Sequence, residues 1–179
     1  TGGTNITAIL DGDQLSFSAA TDFDGSETFT VSVADAEYTD TQVLNVTVLP
    51  VNDAPVMDVI ADQTMNEGDT KVVLLTATDI DEDALTYSIS EGVNIISSID
   101  GTTVTFGVID DDWNGSEEFT ATVTDGEYTD TQIFTVTVAN VNDAPVLATV
   151  SNVSFAEDGS SDAVTLSATD ADADDLTFN

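Results

Sequence analysis

A hexapeptide, V-N-D-A-P-V, stands at residues 51–56 and returns at 141–146, ninety residues later. The repetition reaches well beyond six letters. At that offset residues 24–56 match residues 114–146 at 22 of 33 positions, with "GSETFTVSVADAEYTDTQ" at 25–42 answered by "GSEEFTATVTDGEYTDTQ" at 115–132. Likewise "NEGDTKVVLLTATDIDEDALTYS" at 66–88 has its partner in "AEDGSSDAVTLSATDADADDLTF" at 156–178. Such a chain must fold as tandem copies of one unit, and a unit of this length is a small domain rather than a solenoid turn.

The repeat divides the chain unevenly. Residues 1–50 are the back half of a first repeat, 51–140 a complete second one, and 141–179 the front half of a third. The alignment fixes the halves: Gly3, Asn5, Ile6, Asp11 and Gly12 match Gly92, Asn94, Ile95, Asp100 and Gly101, while Leu176 and Phe178 match Leu85 and Tyr87. Half a sandwich cannot bury its core or pair its strand edges. Two arrangements would supply the missing halves. The chain is an excerpt of a longer repetitive one, or residues 141–179 of one copy complete a domain with residues 1–50 of a neighbour, head to tail. In the second case Asn179 would lie within roughly 7 Å of Thr1 of the next copy.

Local pattern gives the fold class. Val73–Leu75–Ala77, Leu85–Tyr87–Ile89, Phe119–Ala121–Val123 and Phe134–Val136–Val138 each alternate with Thr, Ser, Gln or another outward residue, which is the period of a half-buried strand. Asp11-Gly12 and Asp100-Gly101 sit between short apolar runs, as hairpin turns do. Nothing shows a capped 3.6-residue period. The expectation is all-β: tandem Greek-key β-sandwiches with about seven strands per repeat.

Charge narrows the function. Thirty-five Asp and Glu face one cation, Lys71, for a net charge of −34, and Arg, His and Cys are absent. Such a surface repels nucleic acid and anionic membranes. No apolar run is long enough to insert into a bilayer. Serine–histidine triads, zinc hydrolysis and disulfides are excluded by residue type. An apolar share of 41% still suffices for a core, so a folded protein must tolerate the charge. Divalent cations would compensate it; salt would screen it.

The acids recur where strands end. The inward row Val73–Leu75–Ala77 runs on into Asp79 and Asp81, with Asp83 behind, and Val164–Leu166–Ala168 runs on into Asp170 and Asp172. Glu67 and Glu157, Asp22 and Asp112, and Asp35 and Asp125 recur as pairs. The linker Asn52-Asp53-Ala54-Pro55 is short, stiffened by proline, and offers an amide, a carboxylate and a carbonyl. Ca²⁺ takes six to eight oxygens of these kinds, whereas Mg²⁺ prefers fewer carboxylates and keeps its waters.

In this order, Glu, D-x-D, D-x-N, x-x-D-G and N-D-A-P, the chain resembles the cadherin repeat, and in particular the bacterial cadherin-like V-N-D-A-P repeats of large surface adhesins. The resemblance implies calcium held between consecutive domains. It assigns Asp22, Asp24, Asn52, Asp53, the Ala54 carbonyl, Asp79, Asp81 and Asp125 to a first junction. To a second it assigns Glu67, Asp112, Asn114, Asn142, Asp143, the Ala144 carbonyl, Asp170 and Asp172. The sequence departs from the cadherin pattern at Pro50 and Asn140, where an acid is expected two residues before the linker Asn, at Ala54 and Ala144, and at Asn114. One or two ions per junction is therefore the expectation, not three. The implied function is a calcium-stiffened spacer of a large extracellular or cell-surface protein, with neighbouring repeats as partners and no enzyme activity.

Thr-rich faces ("EYTDTQ", "TVTV") would suit a polysaccharide or cell-surface ligand, but Thr is also a good strand former. Trp113 replaces Phe23 of the first repeat, which favours packing over sugar stacking. Paired carboxylates serve glycoside hydrolysis, but here every pair follows from the repeat. The sequons at Asn5, Asn45, Asn114 and Asn152 matter only in a glycosylating host.

Overall fold

The computed structural model describes residues 3–179, and its strands fall into three groups. The expected approach of Thr1 to Asn179 of another copy lies outside the described residues. In the first group β1 (Ile6–Asp11) pairs with β2 (Gln14–Ala19), and β3 (Gly25–Ala34) with β4 (Thr39–Val48). The last group is one short antiparallel pair, β14 (Val146–Leu147) with β15 (Ala168–Thr169).

Between them lies a complete two-sheet sandwich. Its strands are β5 (Val56–Met57), β6 (Gln63–Asn66), β7 (Lys71–Leu74), β8 (Ala77–Thr78), β9 (Thr86–Ile89), β10 (Ile95–Asp100), β11 (Thr103–Val108), β12 (Gly115–Thr124) and β13 (Thr129–Ala139). One sheet has the order β10-β11-β7, prolonged by the β5-β8 pair, since the Leu75 N–H still bonds Thr102 O at 2.8 Å beyond β7. The other has the order β6-β13-β12-β9. β5 with β6, and β7 with β8, are interrupted strands, which brings the nine segments to seven. The chain changes sheets between β5 and β6, β6 and β7, β8 and β9, β9 and β10, and β11 and β12. That is a Greek-key path, and the fold is the all-β, immunoglobulin-like sandwich that alternation and strand spacing predict.

The inward rows meet in one core. Phe106, Phe119, Leu75, Ile95, Val104, Val123 and Val136 are fully buried. Phe106 meets Phe119 edge-on at 4.9 Å and Phe134 at 5.9 Å between centroids, the favoured aromatic geometry. The outward hydroxyls bond across strands, Ser116 to Thr137 at 2.9 Å and Ser26 to Thr47 at 2.8 Å.

One device ties the loop before β10 to β12. Glu117 accepts the N–H groups of Val93, Asn94 and Ile95 at 2.9, 2.8 and 3.2 Å. Burial raises its proton affinity, but these donors outweigh that and hold the carboxyl below its ordinary value. Gly92 makes the approach possible, because a Cβ there would collide with Ile95 O and the Glu117 carboxylate. Glu27 repeats the arrangement with Thr4, Asn5 and Ile6.

The hairpin turns lie one residue later than the Asp-Gly dipeptides suggest. Asp100 pairs with Thr103 and Asp11 with Gln14, so the two-residue loops are Gly101-Thr102 and Gly12-Asp13. Glycine holds the first loop position at φ +60° and +62°, the position a type II′ turn reserves for it. No helix among the described residues is long and apolar enough to cross a membrane.

Candidate metal centres at the repeat junctions

Each D-x-D segment forms a tight acidic loop. Asp79 accepts the N–H of Asp81 at 3.0 Å and of Asp83 at 3.3 Å, and Glu82 takes φ +59° to close the turn. The copy is faithful: Asp170 accepts from Asp172 and Asp174 at 3.1 and 3.3 Å, and Ala173 has φ +59°. Carboxylate oxygens of Asp79, Asp81 and Asp83 come within 4.8 Å of one another, as do those of Asp170, Asp172 and Asp174. Asp83 and Asp174 were not among the expected ligands. The signal was a third Asp at the same two-residue step.

Both linkers dock on these loops in the same way. The Asp53 N–H donates to Asp81 at 2.7 Å, and the Asp143 N–H to Asp172 at 2.6 Å. At the first junction the Asn52 side chain also donates to Asp125 at 3.0 Å. Asp125 meanwhile accepts from Glu127 and Tyr128, which fixes its carboxylate at the pole of the sandwich. Asp22, Asp24, Asp53 and Asp81 line one open cleft of about 290 Å³ between the base of the first repeat and the second. Asp22 is held at φ +56° and is exposed, as is Asp24. Ala54 separates Asp53 from Pro55, whose burial anchors the linker.

The second junction is tighter. Oxygens of Glu67, Asp143 and Asp172 lie within 4.8 Å of one another, one from the middle repeat, one from the linker and one from the third repeat. Glu67 Oε1 accepts the Val141 N–H at 2.6 Å. Asp143 is pushed above its ordinary value by burial and then by the charges of Asp112, Asp172, Glu67 and Asp170. Asp172 goes the other way, lowered by the Asp143 N–H and the Asn140 amide. Among the described residues two carboxylate oxygens are buried without any partner: Glu67 Oε2 at this junction and Asp79 Oδ2 at the first. A buried anionic oxygen without a donor is costly unless a cation meets it.

Two expected ligands, Asn114 and Asn142, use their amide nitrogens as donors within the junction. Asn114 Nδ2 donates to Asn140 Oδ1 at 2.7 Å, and Asn140 Nδ2 to Asp172 at 2.8 Å. Asn140 thus joins the site at the position where the cadherin pattern has an acid. Asn142 turns onto its own linker, donating to Asp143 O at 2.9 Å, where Asn52 reaches a strand-end carboxylate. Ala144 is exposed between Asp143 and an exposed Pro145.

Residues 52–137 match the bacterial Ig domain family. No curated protein matches the chain. Among solved structures the chain is similar to human protocadherin-24 EC1-2, with 20% identity over 67% of this chain and 62% of that one at a TM-score of 0.41. It is also similar to an endo-fucoidan hydrolase of glycoside hydrolase family 107, with 19% identity over 77% of this chain and 22% of that one at 0.38. Titin domains Z1Z2 give 11% identity over 76% and 73% at 0.38. The chain therefore spans less than two thirds of the protocadherin fragment and under a quarter of the hydrolase.

Proposed function

We propose that the chain is a stretch of V-N-D-A-P cadherin-like repeats acting as a calcium-stiffened spacer in a large extracellular or surface-attached protein. The carrying observation is the repeated junction. At both linkers an Asp N–H is clamped to a D-x-D loop, and a carboxylate oxygen is left buried without a donor. Hard dications suit an all-oxygen set of this kind. At the first junction Asp79, Asp81, Asp53 and Asp125 would supply it, with Asp22 and Asp24 across the cleft. At the second, Glu67, Asp143, Asp170 and Asp172 would, with Asp112 beside them. Calcium binding would replace mutual repulsion of the acids with attraction across the linker and so convert a joint into a strut.

A ligand-binding face is the weaker reading. The outward hydroxyls of β3–β4 and β12–β13 already bond one another across strands, which leaves fewer of them free for a sugar.

Titration calorimetry with calcium, paired with small-angle scattering at constant ionic strength, tests the proposal. Binding with a rise in maximum dimension over the EGTA sample is the expected result. Asp53→Ala should weaken uptake at the first junction and Asp143→Ala at the second, each sparing the other, because sites a domain apart rarely couple. Superimposable scattering profiles with no heat of binding would sink the spacer reading.

A further inference from the structure

The turn that opens β12 recurs in the first repeat with its middle residue changed. Trp113-Asn114-Gly115 answers Phe23-Asp24-Gly25. The same geometry dictates glycine in both. Gly115 has φ +152° and Gly25 φ +132°, and a Cβ at either would press on the aromatic ring two residues back, 2.7 Å from Trp113 and 3.3 Å from Phe23. The residue before the glycine is under no such constraint. It is an acid in the first repeat and an amide in the second.

An amide in front of glycine is chemically labile. The backbone nitrogen of the following residue attacks the Asn side chain, and a side chain on that residue hinders the approach; glycine has none. Asn114 alone among the asparagines precedes glycine, whereas the others with a following residue precede Ile, Val, Asp or Glu. It is exposed to water. Gly115 opens β12 opposite Val138, the outermost pair of that ladder, where local opening costs least. The glycine that the fold demands therefore keeps Asn114 at risk for as long as the residue is an amide.

We propose that Asn114 deamidates in the folded chain and so gives the second junction the carboxylate that the first has in Asp24. The Gly115 nitrogen forms a bond to Asn114 Cγ and gives up its proton. Nδ2 takes a proton and leaves as ammonia. Water then opens the cyclic imide at either carbonyl, which leaves an aspartate or, with the main chain routed through the side chain, an isoaspartate. Water is consumed and ammonia released, with no change of oxidation state. The product loses a present contact, because a carboxylate cannot donate the hydrogen bond that Asn114 Nδ2 makes to Asn140 at 2.7 Å. Asn140 also holds Asp172 at 2.8 Å, so the exchange is felt at the D-x-D loop. The aspartate form adds an acid to the second junction, and any gain in calcium affinity rests on reading the junctions as calcium sites; the deamidation does not.

Ageing the full chain in mildly alkaline buffer tests this. Samples are digested with pepsin at low pH, where further cyclisation is slow, and mapped by mass spectrometry with electron-transfer fragmentation. Peptides carrying Asn114 should gain the mass of an amide-to-acid exchange, divided between aspartate and isoaspartate, while the other asparagines keep their amides. Trp113 fluorescence shows that the middle repeat is still folded at each time, and a urea-denatured sample sets the unhindered rate. A folded chain that keeps the Asn114 amide long after the denatured sample has converted overturns the proposal, and so does earlier loss at another asparagine. Asn114→Gln, which would have to close a larger ring, should abolish the mass gain. Asn114→Asp stands for the aspartate product and should bind calcium several-fold more tightly at the second junction, with the first unchanged; equal affinity overturns the added ligand. Deamidation in a chain that binds no calcium would defeat the spacer reading alone, and calcium binding with an inert Asn114 would defeat this proposal alone.

Discussion

The middle repeat and its flanks carry nearly the same sequence in opposite states of burial. Val123 is 0% exposed and its copy Val33 71%; Met65 is 7% exposed and its counterpart Phe155 62%. Hydrogen bonding does not differ in this way. β3–β4 keeps the full ten-pair register of β12–β13, shifted by the repeat length. Hairpin register, the glutamate tie and the acidic loops are therefore local properties that half a domain forms alone. Apolar burial is a property of facing sheets: it is extensive in the complete middle repeat and reduced to Ile6 and Phe29 in the first group.

The largest effect should come from that core. Phe119→Ala should cost the middle repeat about 3–5 kcal/mol, read by urea denaturation through Trp113. Phe29→Ala in the first group should cost less in a dilute sample, because Phe29, though buried, packs at 5.1 Å against Phe17 of a single facing hairpin rather than inside the full core that surrounds Phe119. Equal losses would break the contrast between the regions.

Next is Gly92→Ala, which should cost about 1–3 kcal/mol through overpacking. The new methyl would meet a carbonyl oxygen that cannot retreat without opening the tie to Glu117.

Glu117→Gln sharpens the comparison through pH. The folded carboxyl lies below its ordinary value of 4.5, so the ionised form favours the folded state. Its contribution is present above that pH and is lost as pH falls through the lowered folded value. The variant should lose about 1–3 kcal/mol near neutrality and show a flatter acid limb in melting temperature. Glu27→Gln should shift the acid limb in the same direction, with most of its effect confined to the first hairpins.

The smallest effect belongs to the linkers. Pro145→Ala should change the melting temperature of the middle repeat by an amount equivalent to under about 0.5 kcal/mol, since Pro145 is exposed. Pro55→Ala, at a buried position, should cost more. A reversed order would place the anchored linker at the second junction.

The parts legible in the sequence are those governed by period. Alternation located the inward rows, and the ninety-residue offset located the linkers and the paired acids. Turn position was misjudged by one residue because Asp-Gly fits two hairpin placements, and only the cross-strand partner separates them. The Glu117 tie was present in the letters as the recurrent G-S-E and G-x-N-I segments. Its contacts span 22 to 24 residues, however, and no periodicity predicts them. Asn140 was seen as a departure from a pattern, although its two hydrogen bonds make it a link from Asn114 to Asp172. Several acids have structural work that a ligand count hides, among them Asp130 under Met57 and Asp62, which accepts the Thr135 N–H at 2.8 Å.

The parallel pairing of β6 with β13 has a mechanical consequence. Gln63 to Asn66 lie alongside Val136 to Ala139, near where the chain enters and leaves the middle repeat. Tension drawn along such a pair pulls the two strands past each other, across the direction of their hydrogen bonds. Those bonds then share the load and must fail together, whereas an antiparallel hairpin pulled from its open end gives way one rung at a time. Single-molecule extension should accordingly show an abrupt rupture of the middle repeat, and Met65→Pro, which removes the N–H two residues before the Glu67 N–H that bonds Ala139 O, should lower the rupture force. The repeat is wired as a lap joint, with its strongest direction lying along the axis of the tandem array.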